Sequence, residues 1–120
     1  MRLRISLPCG SQSARNDFVS FIMFIIDLHY IAPLEELDAH MAGHMKFLDI
    51  CYTENVFPTS GRKVPRTGGI IIAQAESKEA LAQIMAEDPF CKNGLAEITI
   101  TEFQNSQMHP AFRKVMKDFK

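Results

Sequence analysis

Two histidines four residues apart, His40 and His44, are the side chains best suited to chemistry in this sequence, and Asp88, set before a proline, is weighed beside them. Imidazole exchanges its proton near neutral pH, so a histidine at the edge of an apolar surface suits general acid or base work. His44 fits that description, because Met41, Met45 and Leu48 recur around it at the spacing of one helix face. The same spacing would let His40 and His44 share a metal ion. However, no glutamate follows His40 as in H-E-x-x-H and no third ligand is marked, so solvated or core histidines are the simpler reading and no metal is expected. Asp88 before Pro89 reads first as a turn or cap that accepts backbone N–H bonds.

Candidates for holding a substrate lie around the segment Gly61 to Gly69. Arg66 and the amides near Gly68 suit a carboxylate or phosphate group, and Ser60 stands at the start of this loop. The loop is not a nucleotide-binding P-loop: it lacks G-x-x-x-x-G-K-[ST], and no helix begins after it. Cys9, Cys51 and Cys91 are an odd number, widely spaced, with no C-x-x-C pair. They read as small hydrophobes in a reducing cytoplasm, not as nucleophiles or ligands. No cofactor motif is present in the sequence.

These side chains need a folded frame, and 120 residues suffice for one core. The formal net charge of −1, without a Lys/Arg block, argues against nucleic acid as a partner. The longest apolar stretch, Phe18 to Ile26, is far shorter than the roughly 20 residues of a membrane span. Arg2 and Arg4 precede it as in a secretory leader, but it runs into Asp27-Leu28-His29 and not a small-residue cleavage site. Residues 1–22, broken by Pro8, Gly10, Ser11, Ser13 and Asn16, hold no sustained period and read as an N-terminal extension. Met23 is then the expected first residue of the domain.

From Met23 a β-rich run continues to Ile31. Leu34, Leu37, Met41, Met45, Leu48 and Tyr52 predict one amphipathic helix over 34–54, with Glu35, Glu36 and Asp38 in its first turn. A short strand is expected over 56–60, at an edge because Pro58 cannot donate to a ladder. Ile70 to Ala75 reads as a central strand. Ser77 caps a second helix carrying Leu81, Ile84 and Met85, and Asp88-Pro89 and Asn93-Gly94 form a turn. Residues 95–103 alternate apolar and polar as a half-buried strand, and Phe112, Val115, Met116 and Phe119 mark a C-terminal amphipathic helix within 105–120. The order is strand-helix-strand-strand-helix-strand, an α+β domain.

Four segments together resemble the YciI-like (YCII-related) family over residues 23–104: Met23 to Ile26, Ala42 to Asp49 with its H-x-x-F-L signature, Val64 to Ile71, and Asp88 to Ala96 with D-P-F-x-x-x-G-L. The resemblance implies a ferredoxin-like βαββαβ domain with an antiparallel four-stranded sheet, assembled as a dimeric α/β barrel. It also implies a small pocket in each subunit and places the family's helix histidine on His44 and its turn aspartate on Asp88. Where some members carry an acid at the start of the second strand, this sequence reads Asn55-Val56. Asp88 or Glu54 is thus left to supply a carboxylate. The expected function is an enzyme in which His44 moves a proton on a lactone- or carbonyl-containing molecule, in a homodimer. The competing readings are a non-catalytic metabolite-binding module using the same pocket and a purely structural interaction protein.

Overall fold

A computed structural model describes residues 22–117 and 119. Residues 1–21, most of the expected extension, lie outside the described residues. The first strand, β1, is Ile22–Tyr30 and therefore starts one residue before Met23. There follow α1 (Leu34–Ala39), α2 (Met41–Thr53), β2 (Thr59–Arg62), β3 (Gly68–Gln74), α3 (Lys78–Met85), α4 (Pro89–Lys92), β4 (Ala96–Gln104) and α5 (Pro110–Lys117). The strands form one antiparallel sheet in the order β2-β3-β1-β4, the ferredoxin-like arrangement.

Alternation in β1 decides which face meets the helices. Phe24, Ile26 and Leu28 are at most 2% exposed, and Ile26 lies opposite Ile71 of β3 and Ile100 of β4. These residues join Leu37, Phe47, Leu48, Cys51, Leu81, Met85 and Phe90 from the helices in one core. The opposite face carries Ile25, Ile70, Ile72 and Thr101, all less deeply buried. Met23 and Met116 are buried outside that core, and Gln74 Nε2 donates to the Phe119 carbonyl at 3.4 Å. The C-terminal segment thus returns to the sheet end where Met23, Gln74 and Phe103 lie side by side.

The single helix expected over 34–54 is two helices, broken at His40 with φ −110° and ψ 10°. The break resets the helical phase. Leu34, Met45 and Tyr52 of the expected stripe are exposed, while Phe47, Leu48 and Cys51 face the core. Val56 and Phe57, expected to open the second strand, are fully buried plugs ahead of it, and β2 begins only after Pro58 on the sheet edge. Helices α2 and α4 end alike. Asn55 (φ 62°) and Gly94 (φ 68°) take left-handed backbone, Val56 N–H donates to the Cys51 carbonyl, and Leu95 N–H donates to the Phe90 carbonyl. Asparagine and glycine are the residues that tolerate that conformation, and it turns each helix sharply toward the sheet.

Candidate active site

The N-terminus of α4 fixes the carboxylate. Asp88 occupies the N-cap and its Oδ1 accepts the Phe90 N–H at 3.2 Å, as a capping aspartate should, with Pro89 in the first turn. The turn expected at Asp88-Pro89 is therefore a helix start. The same oxygen lies 2.8 Å from His44 Nδ1, and the Cys91 thiol reaches Oδ2 at 3.8 Å. Asp88 is fully buried and His44 is 13% exposed at its side chain. Three donors converge on a carboxylate with no Lys or Arg beside it among the described residues.

Two contacts hold the imidazole in place. Its ring stacks on Phe90 at 4.1 Å between centroids and 9° between planes. Helix α2 also comes close to α4 beside it: a Cβ on Gly43 would stand 3.1 Å from Pro89 Cγ. The close approach places residue 44 next to residue 88. In the neutral imidazole the carboxylate of Asp88 accepts the hydrogen bond from Nδ1–H, which puts the lone pair on Nε2, the arrangement of a general base oriented by a carboxylate. His40 turns elsewhere, its Nδ1 3.2 Å from the Glu36 carbonyl. Glu54 is the exposed C-cap of α2, so of the two acids left by the sequence it is Asp88 that meets His44.

His44 lines a cavity of about 300 Å³ between α2 and the sheet, with apolar walls that include Leu28, Met41, Leu48 and Ile71. Ser60 and Gly68 line it as well. The Ser60 hydroxyl is hydrogen-bonded to that of Tyr52, a residue the sequence marked only as part of a stripe. Gly68 has a backbone reason to be glycine: a Cβ there would collide with the Leu28 carbonyl, so β3 can pair with β1 at this point only without a side chain.

Arg66 sits apart from the cavity lining. Its Nη2 donates to Asp38 Oδ1 at 2.6 Å and its guanidinium lies 5.9 Å from the centre of the Tyr30 ring, with Nε buried and unpartnered. Hydrogen bonding to Asp38 raises its pKa further above the ordinary arginine value, so this cation is already matched. The cavity's arginine is Arg62, which sequence reasoning missed. Its signal was alternation: Ser60 and Arg62, two apart on β2, share the face toward the helices. Burial, reinforced by the nearby Asp88 charge, raises the Cys51 and Cys91 thiols from 9.0 to about 12, which keeps them protonated and poor nucleophiles.

Comparison with known proteins bears on the fold and the family. A solved structure of 5-chloro-2-hydroxyhydroquinone dehydrochlorinase (TftG) from Burkholderia phenoliruptrix AC1100, in complex with 2,5-dihydroxybenzoquinone, superposes with a TM-score of 0.60 at 20% identity, over 68% of this chain and 93% of that one. SnoaB, a cofactor-independent oxygenase from Streptomyces nogalater, gives a TM-score of 0.47 at 14% identity, over 74% and 96% of the two chains. In sequence, the uncharacterized protein YjpA of Bacillus subtilis (strain 168) is 37% identical over 65 residues, 54% of this chain and 76% of that protein. Residues 23–104 match the YCII-related domain, and they span both His44 and Asp88 together with the whole cavity wall. The chain belongs to the YCII-related family.

Proposed function

We propose that this protein is a small-molecule enzyme in which His44, oriented by Asp88, moves a proton on a carbonyl- or lactone-containing substrate bound in the cavity. One observation carries the reading: a fully buried carboxylate holds, at 2.8 Å, the Nδ1 of a histidine that lines an apolar cavity. In the reaction Nε2 takes a proton from the carbon next to the carbonyl and returns it at another atom. Asp88 stabilises the imidazolium formed in between. The Tyr52 and Ser60 hydroxyls add polar groups to the cavity wall for the substrate's oxygen atoms. The dehydrochlorinase that shares this fold holds an oxygenated ring, and a ring of that size suits a cavity of about 300 Å³. The proposed working unit is a homodimer joined through the open sheet face, in a reducing compartment where Cys51 and Cys91 stay free thiols. Among the described residues no helix is long and apolar enough to cross a membrane.

The test is a panel of lactones, enol-lactones and small esters presented to purified protein, with mass spectrometry of bound and converted compounds. Conversion by the parent and not by His44→Gln supports the enzyme. A compound retained unchanged by both proteins would instead identify a metabolite-binding module.

A further inference from the structure

We infer that Arg62 anchors an anionic group on the ligand, so the cavity takes a small monoanionic acid with an apolar ring. This rests on the reading of the cavity as a substrate site. Three cations lie within one stretch, and their partners differ. Lys63 is bound to Asp27 at 2.7 Å and Arg66 to Asp38 at 2.6 Å, and neither lines the cavity. Arg62 does line it, and among the described residues it has no carboxylate within 4.0 Å.

The surroundings of Arg62 suit an anion. Its cross-strand neighbour is Gly69, so no β3 side chain competes for the space above it. Ser60, two residues back on the same face, and Tyr52 from α2 bring hydroxyls to the same cavity. A guanidinium flanked by hydroxyl donors matches a carboxylate. Asp49 also lines the cavity, at an exposed position, and repels a second negative charge. Hence the ligand is a monoanion.

The helix supplies a ruler. His44 and Tyr52 are eight residues apart on α2, a rise of roughly 12 Å, so the anchoring groups and the proton-transfer group stand toward opposite ends of the cavity. The walls between them, Leu48 and Ile71, are apolar. Such a substrate presents its carboxylate to Arg62 and its reacting carbon to His44.

Benzoate and benzamide, equal in shape and different in charge, test this by titration followed through backbone amide resonances, with Ser60, Gly61 and Gly69 reporting the cavity. The parent should bind benzoate about fivefold to tenfold more tightly than benzamide, the range for a charge-assisted contact at a partly solvated site. Arg62→Gln should erase that preference and Arg62→Lys should keep most of it. A preference that survives Arg62→Gln overturns the inference, as does a parent that binds neither probe or does not distinguish them. An Arg62-dependent preference in a protein that converts no compound would retain the acid site and remove the catalytic reading, so the two fail separately.

Discussion

Asp88 serves two structures at once, capping α4 through Phe90 N–H and orienting His44 through Nδ1. Replacement by asparagine keeps a good N-cap but loses the charge that stabilises an imidazolium. Asp88→Asn should therefore melt within a few degrees of the parent while turnover falls by about two orders of magnitude or more. Asp88→Ala removes the cap and leaves buried donors unmet, which costs about 2 to 4 kcal/mol in urea denaturation. Equal stability of the two variants would show that the cap contributes little. The thiols give a pH prediction with a definite sign. Cys51 and Cys91 are raised from 9.0 to about 12 by burial first and the Asp88 charge second. The folded state keeps protons that the unfolded chain has released, so their contribution is complete below pH 9 and is lost as pH rises toward 12. Urea midpoints should fall through that window, and less steeply in Cys91→Ala.

Among the elements, the contact of α2 with α4 sets the dyad, and Gly43 is where it is closest. A methyl group 3.1 Å from Pro89 Cγ forces one helix to give by a few tenths of an ångström. In Gly43→Ala the better helix propensity of alanine, about 1 kcal/mol, offsets much of the strain. Its melting temperature should stay close to the parent's while turnover drops about tenfold from the displaced imidazole. A parental rate would mean that the spacing at Gly43 does not position His44.

Strands β1, β3 and β4 and the Ser77 cap were legible in the sequence because strand composition, alternation and capping are local signals, and Ser77 Oγ does accept the Ala80 N–H at 3.0 Å. The break at His40 was not legible, since Ala39-His40-Met41 contains neither proline nor glycine to announce it. The core face of α2 was consequently assigned out of phase. Val56 and Phe57 looked like strand because buried plugs and buried strands share apolar residues. The pairing of His44 with Asp88 joins residues 44 apart, and no local periodicity encodes it. The apolar helix face marked His44, the family resemblance added Asp88, and the geometry then joined them.

For the molecule as a whole, the open sheet face matters most. Ile25, Ile70 and Ile72 form a strip there, Asp27 on the same face is neutralised by Lys63, and Phe103, Phe112 and Val115 remain exposed nearby. The C-terminal segment covers only the Met23 end of this face, and the apolar remainder is surface that a second copy can bury about a two-fold axis. Sedimentation at micromolar concentration should give twice the 13.6 kDa chain mass, and Ile72→Lys should shift it to the monomer. A parent that sediments as a monomer would contradict the proposed dimer without touching the dyad, which lies on the other face.

The central claim is that His44 is the group that moves the proton, and the turnover of His44→Gln tests it most directly. Glutamine keeps size and polarity but cannot exchange a proton near neutral pH. With a compound converted by the parent, the rate should fall by about two to four orders of magnitude while the melting curve changes little. An unchanged rate would contradict the account.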